Sequence, residues 1–388
     1  MIRLSRPIVA TLMVAGALVT WVVAPSSAAS SKSASAKTYT IGVAAELTGA
    51  GAGTYGIPEA AGFKVAEQEL KQSGFLGKTS LKFVQSDDQT SPTEAVTLFN
   101  QFVQSHDVLV IESSYTSILE ALAPFAKQTK TPLIVIGSAG TGTSFPYVSR
   151  MTDFHAPMNT LAKYVISNSF QSRVVVILDQ TNPALVAISG VFQKDLLADG
   201  GSNYAGTVSV LSTNTDFSTT VSQVASLNPT SVLVLTAPAQ AGNIISQLKS
   251  GGVKAPLLGH PGWSIQVAQL AGSAANGAVF PQPWYPSQLN SVKFVAEYKA
   301  ANGGTVPSAQ AAQAHDTVWL IAVAIKRILA EGHKVTGPNI ENTLAAASRT
   351  KAFQQHALIT GFTLNSQGTP SYAGRLVAFV NGAIAPLS

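Results

Sequence analysis

The stretch from Val110 to Gly142 restricts the fold of this chain more than any other. Val108 to Ile111 is a short apolar run with the look of a buried strand. Ser117 opens a helical pattern through Ile118, Leu119, Leu122 and Phe125. Leu133 to Ile136 is a second apolar run that stops at Gly137 and breaks into small residues. Strand, loop, helix, strand, loop is the unit of a parallel sheet. In an open parallel sheet a ligand sits beyond the carboxyl ends of the strands. Two loops end there in this stretch, bringing the Ser117 hydroxyl toward the backbone of Ser138, Ala139 and Gly140. Free N–H groups and the positive end of a helix favour an anion at such a place.

The rest of the chain repeats the alternation. Tyr39 to Ala45 reads as a first strand. A glycine-rich loop from Leu47 to Gly56 follows and carries Tyr55 near its end. A helix with Pro58 in its first turn comes next, then a strand from Leu81 to Gln85, and Ser91 with Pro92 form a strong helix start. Beyond a connector at Arg150 to His155 a second round begins. Arg173 to Leu178 is a strand ending in Asp179, a helix runs from Pro183 to Leu197, and further strands fall at Thr207 to Leu211, Ser231 to Leu235, Pro256 to Gly259 and Ala278 to Phe280. The halves share a pattern and no clear residue-level repeat. Tandem blocks of this kind imply an α/β fold with parallel sheets covered on both faces. Past Pro281 the pattern changes to helices at Gln288 to Ala301, Ser308 to Ala330 and Gly337 to Ala347. A strand and turn over Gly361 to Gly368 and a last strand from Arg375 to Val380 close the chain. Packing these helices back on the first block makes the chain cross between lobes more than once.

Other function classes find no support. The chain has 388 residues, 46% hydrophobic and 11% charged, so a large core can form. The net charge of +5 is spread without a Lys/Arg cluster, so no nucleic-acid partner is expected. Cysteine is absent, which removes disulfides, thiolate chemistry, Cys-ligated metals and an N-terminal lipidated cysteine. The six histidines are scattered, and HExxH, GxSxG and GxxxxGK[ST] patterns are missing. Neither metal, cofactor nor enzymatic activity is expected. Asp87-Asp88 reads as a helix-start and loop feature. Ser117 has two readings, as an N-cap worth about 1 kcal/mol or as a hydroxyl donor to an anion. Trp263, Trp284 and Tyr285 sit in loops beside Pro or Gly, where they either wall a cleft or simply pack. At the N-terminus Arg3 and Arg6, the apolar run Ile8 to Val23 and Ser26-Ser27-Ala28 make a signal peptide over 1–28. Cleavage is expected after Ala28, with an uncleaved anchor as the other reading, and 29–38 form a flexible lead-in.

Several landmarks together resemble the type I periplasmic solute-binding proteins, in the branch of the leucine/isoleucine/valine-binding proteins. They are IGVAAELTGAGAGTYG, DDQTSPTEAV, SSYTSILEALAPFAKQTKTPLIVIGSAG, TDFSTTVSQVASLNPTSVLVL, HDTVWLIAVAI and GFTLNSQG, in order and at matching spacing from Tyr39 to the C-terminus. The resemblance implies two doubly wound parallel-sheet lobes joined by a multi-strand hinge. Lobe 1 would be 39–154 plus 283–360, and lobe 2 would be 155–282 plus 361–388. It implies an exported, monomeric binder that closes on a small carboxylate-bearing ligand and delivers it to an ABC importer permease. The alternative is a ligand sensor that transports nothing. The family's carboxylate site matches Ser117 and Ser138 to Gly140, and its aromatic in the first glycine loop matches Tyr55. The second lobe departs from the pattern. Amino-acid-binding members place an acid where this chain has His260-Pro261-Gly262-Trp263, and Thr181-Asn182-Pro183 stands where a tyrosine is expected. The carboxylate half of the site is therefore expected to be kept and the ammonium half lost or moved. Trp263 and Trp284 are expected as walls, and Asn182, His260 and Asp179 as second-lobe contacts, with Asp179 an alternative cation partner.

Overall fold

A computed structural model of the chain describes residues 37–138 and 144–387. The expected signal peptide, and the expected contacts Ala139 and Gly140, lie outside the described residues. Residues 37 and 38, expected in the lead-in, already belong to a strand.

Among the described residues fourteen strands form two main sheets and a small hairpin. The first sheet holds β1 (Lys37–Ala45), β2 (Thr79–Asp87), β3 (Val110–Glu112), β4 (Leu133–Val135) and β5 (Val148–Arg150), in the order β2-β1-β3-β4-β5. All its pairings are parallel. The second holds β6 (Val174–Asp179), β7 (Gly206–Val210), β8 (Ser231–Leu235), β9 (Leu257–Leu258) and β10 (Val279–Gln282). Within it β7-β6-β8-β9-β10 repeats the order of the first sheet. The hairpin strands are β11 (Thr363–Leu364) and β12 (Pro370–Ser371). The last two, β13 (Arg375–Val380) and β14 (Ala383–Pro386), extend the second sheet beyond β10. Both of these run antiparallel to their neighbours, so the second lobe has a mixed sheet rather than a wholly parallel one. A short turn at Asn381-Gly382 joins β13 to β14. A two-residue turn reverses the chain, so an antiparallel partner is what it delivers.

The strand ends follow local chemistry. Val174 to Asp179 and Ser231 to Leu235 are buried throughout, as continuous apolar runs covered on both faces must be. Ser91 accepts from the Glu94 amide at 3.4 Å, and Pro92 occupies the first helical position, as expected. Ser308 likewise caps the helix Ala309–Ala330 through the Ala311 amide. That helix is buried on nearly every face, and its polar residues from Gln310 to Thr317 are buried with the rest. It crosses the helix Ile57–Ser73 at Gly62, where a Cβ would lie 2.2 Å from the Ala311 carbonyl oxygen. Only glycine permits that approach. The expected glycine loop after β1 is shorter than the sequence suggests, because Ala52–Gly56 coils into a π-turn leading directly into that helix.

The hydrophobic clusters mark where the chain crosses between lobes. Met151 belongs to the first lobe's core and Phe154 to the second's, Phe280 to the second and Trp284 to the first, Tyr372 to the first and Leu376 to the second. Three crossings follow. The last lies beyond the boundary expected at Gly361, because Phe362, Leu364 and Tyr372 are buried against the first sheet's helices. Tyr372 also fastens two crossings together. Its hydroxyl donates to the Asp153 carbonyl at 2.9 Å and accepts from the Asp153 amide at 2.8 Å.

Candidate functional site

In each sheet the strand order reverses between the first and third strands of the unit, β1/β3 and β6/β8. Loops leaving those two strands go to opposite faces and open a crevice. The two crevices contribute to a single cleft of about 620 Å³ between the lobes. The first lobe supplies Tyr55, Ser114 to Ser117 and Ser138. The second supplies Asp179, Thr181, Asn182 and the turn His260 to Gly262. Gln310 and Gln313 from the long buried helix, with Tyr372, complete the hinge side.

The first-lobe wall is the beginning of the helix Thr116–Thr129. Its cap position is Tyr115, which makes no side-chain cap, so Ser117 is not the N-cap. Ser117 stands one residue inside the helix and is exposed to the cleft. Among the described residues the Thr116 and Ser117 amides have no hydrogen-bond acceptor, because the Ile118 and Leu119 amides are the ones that return to the Tyr115 carbonyl. Thr116 Oγ1 and Ser138 Oγ are hydrogen-bonded at 2.8 Å. Hydroxyls, two open amides and the positive end of a 14-residue helix thus face one spot, an arrangement suited to a carboxylate.

Behind this wall lies a group that sequence reasoning missed. Glu46, Glu59, Glu112 and Asp88 are all buried at the carboxyl ends of β1, β3 and β2 and on the adjoining helix. Glu59 accepts from Ser113 Oγ at 2.5 Å and from Ser114 Oγ at 2.6 Å, and Glu46 accepts from the Ser114 amide at 3.0 Å. Glu46 Oε2, Glu112 Oε2 and Asp88 Oδ2 have no partner. None of the four pairs with a Lys, Arg or His among the described residues. Burial, reinforced by the Glu59 charge, pushes Glu46 up to about 9. Burial pushes Glu59 up to about 7 against the pull of the two serines, and Asp88 up to about 6. Burial and the neighbouring acids raise Glu112 as well. Gly51 lies directly over this group, where a Cβ would come within 1.9 Å of Glu46 Oε2. The signal available in the sequence was an acid closing an apolar strand, as in VIE at 110–112, within a chain sparing in charge.

On the second lobe Asp179 is 3% exposed, and its Oδ1 accepts from the Thr181 amide at 2.9 Å and from Thr181 Oγ1 at 2.5 Å. Asn182 caps the helix Pro183–Ala198 by accepting from the Ala184 and Leu185 amides. His260 lines the cleft, yet both ring nitrogens are taken. Nε2–H donates to the Thr236 carbonyl at 3.0 Å and Nδ1 accepts from the Gly262 amide at 3.1 Å. Burial drives its pKa down to about 4, so the ring is neutral and holds its loop.

Two expected wall residues lie elsewhere. Trp263 is 1% exposed in the second core, against Phe280 and Phe379. Trp284 is buried in the first core, donating its indole N–H to Ser291 Oγ at 2.6 Å, with Phe294 across its edge. Each ring folds back over its own lobe, where packing against other aromatic rings removes its surface from water. Tyr55 lines the cleft, with Tyr115 edge-on at 5.9 Å, and burial raises its hydroxyl pKa. The cleft's aromatic lining is Tyr55, Tyr115, Phe154 and Tyr372.

Two sheets with the same strand order, three crossings and an interlobe cleft at both reversal points define a two-lobed α/β binding protein. The chain belongs to the periplasmic binding protein family, whose model matches residues 38–382. It is 23% identical over 248 residues to the Leu/Ile/Val-binding protein of Escherichia coli K12, covering 63% of this chain and 67% of that protein. Its fold matches the branched-chain amino acid substrate-binding protein LivJ of Streptococcus pneumoniae, solved with isoleucine. That match has a TM-score of 0.78 at 20% identity, covering 89% of this chain and 97% of LivJ. A solute-binding protein of R. palustris solved with benzoate matches with a TM-score of 0.74 at 21% identity, covering 91% and 95%. By family the chain is a binding protein and not an enzyme.

Proposed function

We propose that this protein captures a small carboxylate-bearing ligand between its lobes and hands it to an ABC importer permease as an exported monomer. The observation that supports this best is the first-lobe wall, where the open Thr116 and Ser117 amides, the Ser117 hydroxyl and the Thr116–Ser138 hydroxyl pair meet at one helix start. The ligand carboxylate binds there first. Contacts from Asp179 and Asn182 are completed when the lobes close, and only a ligand touching both lobes favours the closed state. Tyr55 and Tyr115 enclose the apolar body. Proteins of this fold have been solved with isoleucine and with benzoate, both of which carry a carboxylate.

A thermal-shift screen of amino acids beside aliphatic and aromatic carboxylates tests the reading, since a ligand specific to the folded state raises its stability by mass action. Ser117→Ala is expected to weaken the best hit by about 1.5–3 kcal/mol, one hydrogen bond to a charged group. The variant should melt with the wild type, because this hydroxyl caps no helix amide. No shift from any carboxylate, or an unchanged affinity in Ser117→Ala, would remove the anion site.

A further inference from the structure

Glu59 stands behind the carboxylate wall without lining the cleft, and it reaches the cleft surface through Ser114. Both of its oxygens are engaged. Oε2 lies 2.5 Å from Ser113 Oγ, and Oε1 lies 2.6 Å from Ser114 Oγ. Ser114 is fixed from two further sides. Its amide donates to Glu46 Oε1 at 3.0 Å, and Gly137 presses on its hydroxyl, where a Cβ would come within 2.0 Å of Oγ. Facing Glu59 from the neighbouring elements are Glu46, Asp88 and Glu112 at the ends of β1, β2 and β3, and Tyr55 from the π-turn. The long buried helix and the helix Val292–Ala301 carry His315, Asp316, Lys293 and Glu297, but these gather around Glu69, at the other end of the helix that holds Glu59.

The Ser114 hydroxyl has one hydrogen, and the protonation of Glu59 decides where it points. Beside an ionised Glu59 it points inward, and the cleft receives lone pairs that repel an anion. A proton on Glu59 Oε1 reverses this. Glu59 then donates to Ser114, Ser113 donates to Oε2, and the Ser114 hydrogen turns to the cleft on the wall of the open Thr116 and Ser117 amides. We propose that Glu59 is a positioning residue for the carboxylate site, and that each ligand carboxylate binds together with one proton held on Glu59. The inference rests on the reading of the cleft as a carboxylate site given above. The proton comes from solvent and leaves with the ligand, which stays a carboxylate throughout. Burial already holds Glu59 at about 7, so both forms are populated near neutrality before any ligand arrives. A ligand that needs the protonated form raises that value further. Its affinity is then complete below about 7 and is lost as pH rises above it.

The test uses isoleucine and benzoate, neither of which changes charge between pH 6 and pH 8. Each is titrated calorimetrically into the purified protein at both pH values, and at pH 8 in HEPES and in Tris, whose ionisation enthalpies differ. The affinity of the probe that binds is expected to weaken roughly tenfold from pH 6 to pH 8, and the two buffers should report roughly one proton taken up per ligand at pH 8. Glu59→Gln should remove both the pH dependence and the proton uptake. Ser114→Ala should weaken binding at pH 6 and flatten the profile, because the hydroxyl carries the coupling. His260, the imidazole of the cleft, is held at about 4 and titrates outside this interval. Affinity that is flat from pH 6 to pH 8 without proton uptake overturns the role of Glu59 and leaves the carboxylate site standing. Proton uptake that survives in Ser114→Ala overturns the route through that hydroxyl. If neither probe binds at either pH, both readings fall. The wild-type profile needs no variant, so a misfolded Glu59→Gln does not remove the test.

Discussion

Glu59→Gln should make this protein more stable at alkaline pH, the opposite of what removing a buried hydrogen-bonded side chain usually does. Glu59 is 2% exposed, and burial lifts its pKa from 4.5 to about 7. Between those values the folded state holds a proton that the unfolded state has released. Stability therefore falls as pH rises through this window, is fully present below 4.5, and levels off above about 7. At ~1.4 kcal/mol per pH unit the loss totals ~3 kcal/mol. Glutamine does not titrate, and its amide can stand in for the protonated carboxyl, accepting from one of Ser113 and Ser114 and donating to the other. Urea unfolding followed by far-UV circular dichroism at pH 4.5 and pH 8 measures the difference. The variant should match wild type at pH 4.5 and exceed it by ~3 kcal/mol at pH 8. A variant less stable than wild type at pH 8 would show that Glu59 is ionised and well held there, and the reasoning would fail. An equal difference at both pH values would also refute it, since only a titrating group produces the pH dependence.

Further outcomes follow from the hinge and from the first core. Tyr372→Phe deletes both hydrogen bonds to the Asp153 backbone, and a loss of about 2 kcal/mol is expected from two such bonds. Chemical unfolding measures it, and hydrogen exchange at Asp153 should rise more than exchange in either sheet. His315 is buried between Asp316 Oδ1 at 3.0 Å and Glu69 Oε2 at 2.9 Å. Burial opposes its charge, and these two hydrogen bonds outweigh that opposition, raising its pKa above 6.5. The stability it contributes is complete below 6.5 and is lost as pH climbs past the raised folded value. His315→Gln should be less stable than wild type at pH 6, with the gap narrowing toward pH 9 in the same urea assay. A gap that widened with pH would mean that the ring is neutral in the folded protein.

The fold was largely legible because its signals are local. Ser91-Pro92 marked a helix start, the RVVVIL run marked a buried strand, and repeated alternation marked two parallel sheets. What stayed hidden depends on partners distant in sequence. β13 was read as a last strand without its antiparallel direction and β14 was not read at all, since pairing direction is decided by where the chain comes from. Trp263 and Trp284 looked suited to a cleft because Pro and Gly flank them, but local turn chemistry does not say which way a ring folds. Of the two readings of Ser117, the N-cap one does not hold: the cap falls two residues earlier, at Tyr115, and Ser117 lines the cleft. Glu46, Glu59 and Glu112 gave almost no warning, because a lone Glu in sequence is normally a solvated one.

The acids behind the first wall are unfavourable for stability, and their hydrogen bonds suggest why the fold tolerates them. A charged Glu59 has no proton to give, so both Ser113 and Ser114 must donate inward, and Ser114 then offers the cleft only lone pairs. A protonated Glu59 donates to one of the serines. When that serine is Ser114, its own hydroxyl hydrogen is free to turn toward the cleft. Ser114 lines the cleft and its amide is held by Glu46, so the polarity of this wall is set by Glu59, which does not itself line the cleft. Keeping the floor neutral also removes a negative charge from behind the spot where a ligand carboxylate would sit. Asp179, across the cleft, has no such neighbouring acid among its hydrogen-bond partners and meets only the Thr181 turn. The first lobe thus suppresses its negative charge by crowding carboxyls together in a dry floor behind the helix start that lines the cleft.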